Sequence, residues 1–210
     1  MQTQIYPNFI VFEGIDGSGT TTQLNLLAQT LLQKQIPHWA TFEPTRGTVG
    51  RLIHDALEGS TRLAPETLAL LFAADRYEHV FHDVENIKKN ITAKKLVISD
   101  RYLFSSLAYQ SIECDWLFIT AINALFPLPE CVFFLDTPLE LCSQRRKGRT
   151  QTHIFETDDY QEKVIRQYEK VFSHFAGTAM RIIRLDGSKD KQVILEDVWK
   201  IVSALPIVKG

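Results

Sequence analysis

Phe9-Ile-Val-Phe-Glu-Gly-Ile-Asp-Gly-Ser-Gly-Thr-Thr21 joins an apolar run to a glycine-rich turn and then to a patterned segment. Phe9 to Glu13 is too uniformly apolar for a strand with one wet face and reads as a strand buried on both faces of a parallel sheet. From Thr20 to Gln35, residues Leu24, Leu27, Ala28, Leu31 and Leu32 return at helical spacing. Gly14 to Thr21 therefore lies between a strand end and a helix start, where this glycine spacing is that of a phosphate-binding P-loop. Glycines let the backbone wrap around phosphate oxygens, and the unpaired N–H groups of the helix start attract the anion. Gly14, Asp16, Gly17, Ser18, Gly19, Thr20, Thr21 and Thr22 are the candidate residues, with the Thr21 hydroxyl placed to ligate magnesium. Thr20, however, stands where the motif has lysine. Threonine offers a hydrogen bond but no charge. The loop alone fits an active nucleotide site with its cation supplied from elsewhere, a nucleotide site that has lost catalysis, or a plain glycine turn.

Working outward, four more strands are expected, at His38 to Thr41, Leu96 to Ser99, Cys131 to Leu135 and Arg181 to Leu185. Helical patterns separate them: Leu68 to Lys88, a helix opened by Pro138 and running towards Arg145, Asp159 to Phe175, and a last one from near Asp190 to before Pro206. This alternation predicts an α/β fold, a five-stranded parallel sheet flanked by helices in three layers. All 210 residues read as one domain, without repeats or long linkers. A net charge of −2 gives no broad attraction to nucleic acid or membranes, so any anion site is local. Cys114, Cys131 and Cys142 form no C-x-x-C pair and leave an odd count, which argues against a disulfide framework or zinc site. No run is long and apolar enough to span a membrane, and the first residues lack a secretory pattern. A reducing cytoplasm is the expected compartment.

Ligands of open α/β sheets sit at the carboxyl ends of the strands. There the chain offers Glu13 and Asp16, then Glu43-Pro44-Thr45-Arg46, then Asp100-Arg101-Tyr102. Asp100 could hold magnesium directly or through water. Arg145-Arg-Lys-Gly-Arg-Thr-Gln-Thr-His153 is basic and glycine-bearing between two helices, a segment suited to closing over ATP as a lid at about 145–157. His79 and His82, with Asp75 or Asp83, suggest a metal site only weakly, because spacing fixes no third ligand.

Four segments carry a more specific pattern: Phe12-Glu-Gly-Ile-Asp-Gly-Ser-Gly19, Glu43-Pro-Thr-Arg-Gly-Thr-Val-Gly50, Leu71-Phe-Ala-Ala-Asp-Arg76 and Asp100-Arg-Tyr-Leu-Phe-Ser-Ser-Leu-Ala-Tyr-Gln110. In order and spacing they resemble the thymidylate kinases, P-loop nucleoside-monophosphate kinases that phosphorylate dTMP to dTDP with ATP and Mg2+. The resemblance covers nearly the whole chain. It implies that Phe72 stacks on thymine while Arg76, one turn further along the helix, reaches a base carbonyl. It implies that Arg46 and Arg101 hold the dTMP phosphate and that Asp16 accepts from the 3′-hydroxyl. Ser105 or Ser106 would address the pyrimidine edge, and Tyr109 would crowd the place of a 2′-hydroxyl. Arg145 or Arg146 would stack on adenine, Ser188 would border it, and the enzyme would be a homodimer.

Three of the family's cations are absent: Thr20 replaces the lysine, Phe42 the arginine before Glu43-Pro44, and His153-Ile-Phe-Glu156 the acidic-Arg-x-Glu lid pattern. Arg149, with Arg146 or Lys147, is the expected substitute for the missing P-loop charge, and Arg101 the other expected catalytic cation. Another deoxynucleoside or nucleoside-monophosphate kinase, and a nucleotide-binding protein with weakened turnover, are the alternative readings.

Overall fold

The computed structural model describes residues 4–82, 86–147, 155 and 157–209. Its centre is a five-stranded sheet in the order β2-β3-β1-β4-β5, formed by β1 (Ile5–Gly14), β2 (His38–Phe42), β3 (Leu96–Asp100), β4 (Leu128–Asp136) and β5 (Arg181–Asp186). Every pairing is parallel. The chain leaves central β1 to build β2 and β3 on one side, then β4 and β5 on the other, so its first loop opens at the switch of direction, where open α/β sheets bind ligands. The expected α/β fold is the one observed.

The apolar run of β1 serves two cores. Phe9 and Val11 face one cluster, which also contains Val97, Val132 and Phe134. Ile10 and Phe12 face the other, with Leu96, Ile98, Cys131, Phe133 and Leu135. This is the period-two alternation of a strand covered on both sides. The second cluster is closed by α1 (Thr20–Gln33), through Leu24, Leu27 and Leu31, and by α9 (Lys191–Val202), through Ile194, Val198 and Val202 at i, i+4 and i+8. A short α10 (Pro206–Lys209) follows. The first cluster is covered by α2 (Thr48–Leu57), α3 (Pro65–Phe81), α4 (Ile87–Thr92), α5 (Leu103–Tyr109), α6 (Trp116–Asn123) and α8 (Asp158–His174), with α7 (Leu139–Lys147) at the carboxyl end of β4.

The helix expected over Leu68 to Lys88 is two helices. The first begins earlier because Pro65 occupies its first turn, where a missing N–H costs nothing, and it stops at His82, whose backbone is extended. The second is started by Asn86, also extended, whose side chain accepts from the Lys89 N–H. Asp115, Thr157 and Asp190 cap α6, α8 and α9 in the same way. In contrast, α1 opens on Gly19 with no capping side chain, as α2, α3 and α5 also open without one.

Leu27 has no exposure and bridges α1 to the sheet. Leu27→Ala should lower the unfolding free energy by about 2–5 kcal/mol, through lost burial and the cavity left behind. Urea denaturation checks this, and the denaturant slope should stay constant.

Candidate active site

The turn from β1 into α1 has left-handed backbone at Gly17 (φ +91°) and Gly19 (φ +106°). A Cβ on Gly17 would also lie 2.6 Å from the Cys142 carbonyl oxygen, so α7 packs directly on the loop. Ser18 N–H closes the turn on the Ile15 carbonyl at 3.0 Å, and Thr137 Oγ donates to the Ser18 carbonyl at 3.1 Å. A cavity of about 550 Å³ runs from Asp16 to Thr22 in this loop towards Phe72, Arg76, Ser106 and Gln110. Arg101, Ser105, Tyr109 and Phe155 line its middle, and Arg145, Gly187, Lys189 and Lys191 its far edge.

In the middle, Arg101 is held with φ +68°, a left-handed conformation costly for a residue with a side chain. Its guanidinium donates to the Gly14 carbonyl (2.9 Å), Ser105 Oγ (3.0 Å) and Asp16 Oδ1 (2.6 Å), and lies 5.3 Å over the Tyr109 ring. Gln161 of α8 fixes the other side of Asp16. Its amide donates to Asp16 Oδ2 at 2.9 Å and to the Phe155 carbonyl at 2.8 Å, while its oxygen accepts from the Asp16 N–H at 3.0 Å. Beneath lies Glu13, fully buried. Its oxygens accept from Tyr102 N–H (2.9 Å), Ser105 N–H (3.3 Å), Ser105 Oγ (2.6 Å) and the Tyr168 hydroxyl (2.8 Å). Burial pushes Glu13 up to about 7, while Arg101 and these donors pull it back. Burial likewise raises the Tyr109 and Tyr168 hydroxyls, which stay protonated donors.

At the other end, Arg76 is 1% exposed and donates to Glu43 Oε2 (2.8 Å), Asn123 Oδ1 (2.5 Å) and Ser106 Oγ (2.8 Å). These bonds use three of five guanidinium N–H groups. Glu43 Oε1 accepts from His79 Nδ1 at 2.9 Å, and His79 Nε2 pairs with Thr41 Oγ at 2.7 Å. His79 is thus turned inward, while His82 is exposed beside Glu78, so the two do not converge on one site. Asp75 accepts from Thr45 N–H (2.7 Å) and Thr45 Oγ (2.6 Å), pinning the loop after β2 to α3. Arg46 is exposed and lies 5.5 Å over Phe42, outside the cavity lining.

Asp100 ends β3 behind the P-loop. Its Oδ2 accepts from Thr21 Oγ, while its Oδ1 is buried with no hydrogen-bond partner among the described residues. Such an orphaned carboxylate oxygen fits a hard cation.

The basic segment divides. Arg145 NH1 donates to the carbonyls of Gly17 (3.3 Å) and Ser18 (3.0 Å), and NH2 to that of Gly187 (3.3 Å). Arg146 is buried, donating to the Asp16 carbonyl at 2.6 Å and pairing with Asp158 at the start of α8. Its charge is therefore compensated, and it braces the loop against α8 instead of standing free as a spare cation. Arg149 lies outside the described residues, as do His153 and Glu156. The Ser188 N–H and hydroxyl both close on Asp186 Oδ1, at 3.0 and 2.5 Å, so this side chain serves its own turn.

The thymidylate kinase family model matches residues 12–198 of the chain. Relatives named as thymidylate kinases include one from Treponema pallidum, 40% identical over 92% of this chain and 94% of its own length. One from Methanococcus maripaludis is 42% identical over 94% and 96%. A third, from Methanocaldococcus jannaschii, is 45% identical over 76% and 79%. The chain belongs to the thymidylate kinase family. Membership makes it a phosphotransferase with ATP as donor and dTMP as acceptor.

Several residues of this thymidylate kinase fold escape a sequence reading. Gln110 lines the cavity beside Arg76 with its buried Oε1 unpaired among the described residues, although it stands in the quoted Asp100 to Gln110 segment. Glu43 is expected at the site from its place after a strand and Asp75 only as a weak metal ligand, while the partners that both have here come from other elements. Gln161 sits in an amphipathic helix as an ordinary polar residue, with no motif around it.

Glu13 supplies a pH test. Its folded value of about 7 exceeds the usual 4.5, so between these the folded chain holds a proton that the unfolded chain has lost. Stability contributed by this group is present below pH 4.5 and is lost as pH rises through about 7, on the order of 3 kcal/mol. Relative to wild type, Glu13→Gln should gain unfolding free energy from pH 5 to about pH 7 and level off above it. A pH-independent difference in chemical denaturation would mean that Glu13 is charged throughout.

Proposed function

We propose that the chain phosphorylates dTMP to dTDP with ATP and Mg2+ in the cytoplasm, as one domain over residues 1–210 with a basic lid at about 145–157. The observation that supports this most directly is one cavity joining the P-loop, through Arg101, to Phe72 and Arg76. An anion-binding loop at one end and an aromatic ring beside an arginine at the other suit two phosphates meeting between ATP and a planar base.

On this reading, Phe72 stacks on thymine and Arg76 turns its remaining N–H groups to a base carbonyl. Ser106 fixes Arg76, and Gln110 offers its unpaired amide oxygen to the base N–H. Arg101 takes the acceptor phosphate, with Ser105 holding its guanidinium, and Asp16 accepts from the 3′-hydroxyl. Tyr109 fills the space a 2′-hydroxyl would need. Arg46 joins the phosphate only by leaving the Phe42 ring. Thr21 and Asp100 would hold Mg2+, which when bound neutralises charge on the donor phosphates. Gly14, Ser18, Thr20 and Thr22 belong to the phosphate cradle, Arg145 and Ser188 to the adenine edge, and Arg146 and Arg149 to the lid.

A second copy of the chain is the proposed partner. Leu70 and Tyr77, seven apart on α3, and Leu52 on neighbouring α2 are 49%, 53% and 38% exposed, an apolar strip suited to burial in a homodimer. Sedimentation equilibrium should return twice the mass of 24.0 kDa, and a Leu70→Glu, Tyr77→Glu protein should run as the monomer.

A coupled assay with purified protein, ATP and magnesium should show turnover of dTMP well above that of dUMP, dCMP or thymidine. Arg101→Ala should cut kcat/KM for dTMP by ~100-fold or more, with the fold retained by circular dichroism. ATP consumption faster with thymidine than with dTMP would point instead to a nucleoside kinase.

A further inference from the structure

We propose that Arg145, arriving from α7, supplies at the P-loop the positive charge that Thr20 lacks. Thr20 is the first residue of α1, 6% exposed, with a side chain too short to extend over a neighbouring phosphate. The guanidinium of Arg145 lies against the residues just before it. NH1 donates to the Gly17 and Ser18 carbonyls, and a Cβ built on Gly19 would come within 3.7 Å of the same nitrogen. A full cation therefore rests on the loop that opens α1 and lines the same cavity.

What separates this arginine from Arg76, Arg101 and Arg146 is its counter-charge. Arg101 is paired with Asp16, Arg76 with Glu43 and Arg146 with Asp158. Arg145 is held by backbone carbonyls, and no described carboxylate pairs with it. Carbonyls fix its position without cancelling its charge, and a guanidinium with five N–H groups keeps others free for phosphate oxygens. Its second edge reaches the Gly187 carbonyl after β5, so one side chain spans the P-loop and the loop beyond the last strand.

The inference rests on the dTMP kinase reading. In that reaction an oxygen of the dTMP phosphate forms a bond to the γ-phosphorus of ATP. The bond from that phosphorus to the β–γ bridging oxygen breaks, and its electron pair leaves with ADP. Charge grows on the bridging oxygen beside the P-loop, where a fixed cation favours the transition state over bound ATP. The consequence should therefore appear in kcat, whereas an arginine serving only to stack on adenine would act on KM for ATP.

The test compares wild type, Arg145→Ala, Arg145→Lys, Thr20→Lys and the Thr20→Lys, Arg145→Ala double variant, at saturating dTMP with ATP varied and folding checked by thermal melts. Arg145→Ala should lower kcat about 100-fold, Arg145→Lys should stay within about tenfold of wild type, and the double variant should recover at least tenfold over Arg145→Ala. An Arg145→Ala protein with unchanged kcat and a raised KM for ATP overturns the inference. So does a folded, active Thr20→Lys protein whose lysine recovers nothing in the double variant. Should Thr20→Lys misfold, Arg145→Lys decides: a loss as deep as that of Arg145→Ala refutes the role of charge. Wild-type protein without ATP/dTMP turnover refutes the kinase reading itself, and the inference with it.

Discussion

A carboxylate removed from water must be met by donors, and the carboxyl edge of this sheet is crowded with such groups. Glu13, Glu43, Asp75 and Asp100 are all buried there, following or flanking β1, β2 and β3. The cost of leaving any of them unpaired is several kcal/mol, comparable with the whole stability of a domain. Each therefore organises its surroundings. Glu13 gathers the start of α5 and the Tyr168 hydroxyl of α8, Glu43 gathers Arg76 and His79 of α3, and Asp75 draws in the loop that carries Arg46. Asp100 is the exception, with one oxygen on Thr21 and one without a partner among the described residues. That single unsatisfied acceptor lies directly behind the phosphate loop, where a cation would complete it.

Because the donors come from distant elements, the site and the fold share their restraints. Gln161 is the clearest case. From α8 it holds both the backbone and side chain of Asp16 and also the Phe155 carbonyl. Arg146 adds a second tie, from α7 through the Asp16 carbonyl to Asp158 at the head of α8. The residues bracketing the basic segment are thus fastened to the P-loop at one position. Arg101, in turn, reaches Asp16 only by adopting a left-handed backbone conformation, a local cost offset by bonds to Asp16, Ser105 and the Gly14 carbonyl.

What could be read along the chain followed from local chemistry. The strand–loop–helix of Phe9 to Gln33, the parallel alternation and the motif segments are written in contiguous residues, so the fold and family were legible. Helix ends depend on capping and fell within one or two residues for α1 and α8. The break after Phe81 leaves no mark in the helical spacing, which continues across it, whereas the next helix start depends on Asn86 turning its side chain to the backbone. The site was legible only in part. Arg101, Phe72 and Arg76 share a cavity, but Arg46 rests on Phe42, an aromatic face at the position where the family has arginine. No pattern in the chain announces Gln161, since its bonds to Asp16 span 145 residues.

The substitutions at positions 20 and 42 share a physical theme. Each removes a cation from the carboxyl edge, and at each an arginine from another element lies close by: Arg46 over Phe42, Arg145 over Gly17 to Gly19. A lysine within the P-loop carries its charge wherever the loop goes. An arginine on α7 carries it only while α7 stays packed on the loop, and that packing is tight, since Gly17 lies too close to the Cys142 carbonyl for any side chain. The requirement for glycine at position 17 is then more than a backbone preference. It lets a neighbouring helix approach near enough for its last turn to place a guanidinium on the Gly17 and Ser18 carbonyls of the phosphate-binding loop, which makes the contact between α7 and the loop part of the electrostatics of the site.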